Sequence, residues 1–234
     1  MESALRTRRV VAVIIIVAIA GWFVVAHESF WSSGSARSNS GNGAEIEQVL
    51  NQLAVKGRAP MTGYTRQQFG GVWEQITNGC DARDVILHRD MKDVQVNSKC
   101  QVTRGILDDP YTGKVINFVR GPSTSSLVQI DHVVAIGNAW VTGAQALSLD
   151  QRKALYNDPL ELLAVDGAAN NQKSDGDAAT WLPPNKSFRC QYVARQIAVK
   201  AKYHLWVTQA EKQMMQTILS NCPGQTLPVG ALAK

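Results

Sequence analysis

LVQIDHVVAIGNAW, residues 127–140, and NDPLELLAVDGAANNQKSDGD, residues 157–177, decide how this chain folds. Leu127 to Asp131 is a short apolar-rich run ending at His132, the pattern of a buried strand. Leu160 to Val165 predicts a second strand; Gly167 turns the chain, and Ala168 to Lys173 continues as a short helix. Between the two strands, a helix is predicted through Asn138 to Gln145. Ser148 with Gln151 then makes a capping box, opening a helix that runs to Tyr156 and stops at Asn157, Asp158 and Pro159. The order is strand, insertion, strand, helix.

Upstream, Cys100 to Leu107 and Lys114 to Arg120 predict two strands around the turn DDPYTG, with Ala82 to Leu87 helical before them. Ile46, Val49, Leu50 and Leu53 share one face of a short amphipathic helix, and the segment around Phe69, Val72, Trp73 and Ile76 supplies core aromatics. After Pro183 and Pro184 two helices are predicted, Ser187 to Tyr203 and Thr208 to Ser220, the second capped by Thr208 with Glu211. Val193, Ile197, Leu205, Met214, Ile218 and Leu219 sit at helical spacing and read as core. The fold class is α+β, with flanking helices and an extra β-hairpin.

The chain has 234 residues, 45% hydrophobic and 18% charged, which excludes a fibre, a collagen or a wholly disordered protein. Its net charge of +5 and pI near 9.1 favour anionic partners through the long-range field. Arg6, Arg8 and Arg9 precede the uncharged run Val10 to Ala26, so residues 1–26 read as a signal anchor or a signal peptide that leaves the remainder outside the cytoplasm. Residues 27–44 form a linker whose Ser, Gly and Asn tract is too poor in packing groups to be more than a tether. One domain, 45–222, follows, with a core at about 127–175 and a tail at 223–234. The product is a membrane-tethered or secreted protein.

Four cysteines fall in the exported part, so disulfides are expected. Of three pairings, Cys80 with Cys100 and Cys190 with Cys222 are favoured, because each pair brackets one local unit. No C-x-x-C pair points to zinc.

Of the four histidines, His27, His88, His132 and His204, only His132 adjoins other chemistry. It follows Asp131 at a strand end, and Asn170, Asn171, Lys173, Asp175 and Asp177 come in or just after the short helix. An imidazole can take a proton from water, while a carboxylate and an amide oxygen can hold a hard divalent cation. Phosphodiester hydrolysis needs those parts: a base for the attacking water and positive charge for the phosphate and the departing oxygen.

QIDHVVAIGNAW, NDPLELLAVDGAANNQKSDGD and TWLPPN together resemble the HNH endonucleases, also called His-Me finger or ββα-metal nucleases. More narrowly, they resemble an exported bacterial branch related to the C-terminal domain of GmrSD-type restriction endonucleases. The resemblance centres on Gln129 to Pro184 and extends more weakly from GRAPMTGY at Gly57 through the C-terminal helices. It implies a ββα-metal core with His132 as general base and Asp131 as metal ligand. Asn170, the asparagine of N-x-x-K, would be the second metal contact, and Lys173, its lysine, would orient phosphate or the motif loop. It also implies one divalent ion, Mg²⁺ or Mn²⁺, and a DNA substrate, with RNA an alternative. The chain departs from the pattern where many relatives carry the asparagine of G-N-L: Asp158 and Pro159 stand there, and Asn157 is the candidate substitute.

Other polar residues read more plainly. Asp175 and Asp177 read as solvated helix-exit residues. Glu161 alternates with Leu160 and Leu162 and reads as a salt-bridged or surface group, with approach to the metal the alternative. His88 and His204 read as structural or surface residues, and Trp140 and Trp181 as core rather than base-stacking groups. Arg104, Lys114, Arg120 and Arg189 read as solvated, with phosphate contact the alternative. No recognition helix or finger is present, so cleavage with little sequence preference is expected. Two rivals are a non-catalytic extracellular nucleic-acid-binding protein on the same fold and a hydrolase of another class. The second would need paired carboxylates or an activated Ser or Cys, and no such motif occurs.

Overall fold

The computed structural model describes residues 40–77 and 79–228. The apolar run Val10–Ala26, residues 27–39 of the tether and residues 229–234 of the tail lie outside the described residues. No helix among the described residues is long and apolar enough to cross a membrane.

The structure is mixed α+β, with small antiparallel sheets among helices. In chain order come α1 (Ser40–Gln52), β1 (Gln75–Thr77), β2 (Cys80–Asp81), α2 (Ala82–Asp90), β3 (Lys92–Val96), β4 (Val102–Asp108), β5 (Val115–Val119) and β6 (Val128–His132). Then follow α3 (Ile136–Val141), α4 (Leu149–Tyr156), β7 (Leu162–Asp166), α5 (Gly167–Lys173), α6 (Arg189–Lys202) and α7 (Gln209–Leu219). The sheets are β1–β2, β3–β4–β5 and β6–β7. The extra hairpin is therefore part of a three-stranded sheet. Its third strand, KDVQV, carries no clean apolar alternation and pairs with β4 in a shifted register.

α1 starts at Ser40, inside the segment read as linker, because a helix anchored by Ile46, Val49 and Leu50 in the core extends backwards past weak helix formers. Val72 is 63% exposed and is not a core residue, whereas Phe69 is fully buried. The helix expected over 138–145 is broken: α3 ends at Val141, Gly143 takes φ 131°, and a short 3-10 turn follows over Ala144–Ala146. The Trp206 ring lies 3.2 Å from where a Gly143 side chain would start, so this corner needs glycine for both conformation and space. Both capping boxes form as the sequence requires, Ser148 with Gln151 and Thr208 with Glu211.

β6 and β7 pair antiparallel with Ile130 opposite Ala164, Asp131 opposite Leu163 and His132 opposite Leu162. Strand alternation then sorts their side chains into two layers. Val128, Ile130, Leu162 and Ala164 pack with Phe118, Leu107 and the α2 residues Ile86 and Leu87. Leu163 and Val165 pack on the other side, with Tyr111, Tyr192, Val193 and Ile197 of the helical layer. Burying each large apolar side chain contributes about 1.5–3 kcal/mol, so the hairpin's register is fixed from both sides.

α5 leaves β7 directly. Asp166 caps it by accepting from Ala169 N at 2.7 Å. Gly167 is the first helical residue rather than a turn, and it is needed for closeness: a Cβ there would fall 2.1 Å from the Ser126 carbonyl oxygen. Two disulfides brace the periphery. Cys80–Cys100 ties β2 to the chain entering β4, and Cys190–Cys222 ties α6 to the chain leaving α7, with Cα separations of 5.4 and 5.8 Å.

Candidate active site

The end of β6 and the middle and exit of α5 form one side of a polar cleft of about 280 Å³. Asp131, His132, Gln129 and Asn170 line it, with Asp175 at the α5 exit and Tyr64 and Arg66 from the segment before β1. Asp131, His132 and Asn170, distant in sequence, are thus brought to one cavity.

His132 is 5% exposed and lies with its ring stacked on Trp73, centroids 5.5 Å apart and planes within 11°. Its Nε2 is 2.9 Å from the Tyr156 carbonyl oxygen. A carbonyl only accepts, so Nε2 carries the hydrogen and Nδ1 keeps its lone pair. Burial pushes this imidazole down to about 3, with the positive charges of Arg66 and Lys173 adding to the effect and the Tyr156 hydrogen bond opposing it. The ring is therefore neutral across the physiological range rather than poised near neutrality: it is free to accept a proton, as a weaker base than an ordinary imidazole.

Asp131, one residue earlier, points to the opposite layer. Its Oδ1 accepts from Lys173 Nζ at 2.8 Å, and its Oδ2 accepts from the Tyr111 hydroxyl. Burial raises the Asp131 carboxyl above its ordinary range, while the Lys173 ammonium and the Tyr111 hydroxyl pull the other way. Lys173 is 2% exposed and also donates to the His132 carbonyl oxygen at 2.7 Å. Its ammonium thus sits on the strand end and not on the cleft surface. Tyr111 is fully buried, and its burial and the adjacent Asp131 push its phenol well above the ordinary value.

Tyr111 reaches this position through the turn DDPYTG. Asp109 accepts from Tyr111 N, from Thr112 N at 2.7 Å and, across the fold, from Asp166 N at 2.8 Å. The turn is thereby pinned to the end of β7, and its tyrosine is delivered under β6. Nothing local in the sequence marks this, since the partners are 20 and 57 residues away.

The loop leaving His132 is held as tightly. Val133 N donates to the Glu161 carbonyl oxygen at 2.9 Å, Val134 N to Glu161 Oε2 at 3.1 Å, and Gln196 Nε2 donates to the Val133 carbonyl oxygen at 3.0 Å. Glu161 is fully buried, neither a surface residue nor a salt-bridged one, and burial drives its carboxyl well above the ordinary range. Glu161, not Asn157, supplies the polar side chain that faces the histidine loop. Asn157 accepts from Glu74 N at 2.9 Å, and Asp158 accepts from Lys202 at 2.7 Å, both away from the cleft.

Asn170 donates through Nδ2 to Gln129 Oε1 at 2.8 Å, which leaves its Oδ1 without a partner among the described residues. Asp177 is buried, pairs with Arg58 at 2.7 Å and caps Thr180, so it is no solvated residue, and Asp175 is exposed on the cleft wall. His88 and His204 are exposed, and Trp140 packs in the core against Phe69. Arg120 is spent on Asp84 and the Val102 carbonyl oxygen, and Arg189 on the Pro183 carbonyl oxygen.

Residues 81–218 match the family described as GmrSD restriction endonucleases, C-terminal domain. A protein named "Uncharacterized secreted protein" from Arthroderma benhamiae is 35% identical over 186 residues, covering 79% of this chain and 88% of that protein. That relative is fungal, so the likeness is not confined to bacteria. No solved structure matches. With more than half of its length inside the family match, and its strand–strand–helix unit within that span, the chain belongs to the family of GmrSD restriction endonuclease C-terminal domains.

Proposed function

We propose that this protein is an exported, metal-dependent HNH endonuclease that hydrolyses phosphodiester bonds of DNA with little sequence preference. One observation carries the reading: a neutral imidazole, held by the Tyr156 carbonyl oxygen so that Nδ1 remains the acceptor, shares one polar cleft with Asp131 and Asn170. Membership of a nuclease-type family supports it.

The donor set fits a hard divalent cation. Among the described residues Asn170 Oδ1 has no partner, and each Asp131 oxygen accepts a single side-chain hydrogen bond, leaving a lone pair on each. Among the described residues, no group of three or more His, Cys, Asp or Glu side chains is placed to enclose a metal. One carboxylate and one amide oxygen would leave most coordination positions to water and phosphate, the habit of Mg²⁺ or Mn²⁺. Such an ion, when bound, supplies positive charge to the phosphate and to the departing oxygen.

The chain's own residues do the rest. His132 accepts the proton of the attacking water at Nδ1 and keeps its orientation through Nε2–H. Lys173 and Tyr111 fix the Asp131 carboxylate, and Glu161 with Gln196 fixes the loop that follows His132. The two disulfides and the secreted relative support export. The run Val10–Ala26 is the segment that would direct it, as a retained anchor or a cleaved signal.

The test is plasmid nicking by the whole chain with Mg²⁺, with EDTA, and with His132→Ala or Asn170→Ala. Metal-dependent nicking that falls at least about 100-fold in His132→Ala is expected, since a general base contributes about 10²–10⁴-fold. Binding of DNA without any metal-dependent nick would instead mark a non-catalytic nucleic-acid-binding protein, and undiminished nicking by His132→Ala would show that another group is the base.

A further inference from the structure

The segment before β1 belongs to the cleft but not to the family match, which begins at residue 81. It is held in place by the rest of the fold. Phe69 is fully buried against Trp140, and Arg152 donates through Nε to the Gln68 carbonyl oxygen at 2.7 Å. Arg66 opens the short 3-10 turn Arg66–Phe69 that these contacts fix.

The Arg66 guanidinium is oriented by a single residue. Its Nε donates to the Tyr156 hydroxyl oxygen at 2.8 Å, and its central carbon lies 5.2 Å from the Tyr156 ring centroid. Tyr156 also holds His132, through its carbonyl oxygen. One tyrosine therefore sets the imidazole with its main chain and the guanidinium with its side chain. The two terminal nitrogens of Arg66 make no hydrogen bond or ion pair with any described residue, although Asp175 lines the same cleft. Lys173, the other cation beside His132, is sealed and paired with Asp131. Arg66 is thus the cation on the cleft wall with donors to spare.

We infer that Arg66, braced by Tyr156, is a phosphate-binding position that grips the nucleic-acid backbone beside the group His132 faces. A planar guanidinium with both terminal nitrogens unspent matches two phosphate oxygens, and pre-orientation lowers the entropic cost of the contact. The contact reads no base, in keeping with cleavage of little sequence preference. The inference rests on the nuclease reading of the cleft and adds a residue to it from outside the matched region.

The experiment measures binding of a short DNA duplex to the whole chain in EDTA over a series of NaCl concentrations. The proteins are the parent, Arg66→Ala, Arg66→Lys and Tyr156→Phe, each checked for an unchanged thermal midpoint. Arg66→Ala is expected to weaken binding about tenfold and to reduce the slope of log K against log [NaCl] by about one phosphate contact. Arg66→Lys should restore the slope but only part of the affinity, because an ammonium keeps the charge and loses the fork. Tyr156→Phe, which keeps the ring and the carbonyl, should fall between parent and Arg66→Ala. Plasmid nicking by the parent with Mg²⁺ runs in parallel. If the parent nicks while Arg66→Ala binds with parental affinity and slope, the Arg66 inference is overturned and the nuclease reading stands. If the parent binds but never nicks, and Arg66→Ala weakens that binding, the nuclease reading falls and the phosphate position stands. If the parent neither binds nor nicks, both fall.

Discussion

The two faces of β6 treat neighbouring residues in opposite ways. On the helical side, Asp131 has both carboxylate oxygens engaged by buried donors, Lys173 and Tyr111. On the other side, His132, which lines the cleft, has one ring nitrogen engaged by the Tyr156 carbonyl and the second without a hydrogen bond among the described residues. The first arrangement spends its hydrogen bonds on position, and the second holds one back for chemistry. Changes to the buried partners of Asp131, Lys173 and Tyr111, should therefore register first as lost stability, and changes to His132 mainly as lost activity and altered proton uptake.

The sharpest way to break that contrast is Lys173→Met. It leaves the Asp131 carboxylate buried without its cation, and removing one partner of a buried ion pair costs about 3–5 kcal/mol. Urea denaturation reads the loss; a change under about 1 kcal/mol would mean that the pair does not carry the strand end. A smaller loss of the same kind is expected for Tyr111→Phe, about 1.5–3 kcal/mol for one hydrogen bond to a charged group, by the same measurement.

The His132 face answers to pH. Its folded-state value, about 3, lies below the ordinary 6.5, so unfolding takes up a proton between those pH values. The stability this contributes is full above pH 6.5 and is lost as pH falls towards 3, at most about 1.4 kcal/mol per pH unit. Asp131 and Glu161, raised carboxyls, act in the other direction: their contribution is full below the ordinary carboxylate range and is lost as pH rises. The His132 contribution is isolated by comparing parent with His132→Gln in EDTA. The stability difference between them should narrow between pH 6.5 and 4, and a constant difference would show that the ring is not held neutral.

Local rules made much of this fold legible. The β6–β7–α5 order and both capping boxes follow from signals within a few residues of each other. The cysteine pairings, across 20 and 32 residues, are favoured because each pair brackets one local unit, and the strand–strand–helix order with the family resemblance brings Asp131, His132 and Asn170 together. What stayed hidden is long-range. Tyr111 looks like an ordinary turn residue because its value lies in a bond to a strand 20 positions on. Glu161 looks like an alternating strand residue because only the fold shows that two backbone N–H groups converge on it. Tyr156 and Arg66 carry no motif: a carbonyl that selects a tautomer is common to every residue, and an arginine with idle donors is recognisable only once every possible partner has been placed. β3 escaped because an edge strand exposed at all but Val94 needs no apolar rhythm.

Gly167 gives the cleft an unusual ruler. The start of α5 rests against the Ser126 backbone with no room for a methyl group, and Asn170 rides on that helix less than one turn further on. The seat of the helix that carries the amide, beside the strand that carries the carboxylate, therefore depends on a close main-chain approach that only glycine permits. A single added carbon at 167 would prise the two apart while every reactive group kept its identity.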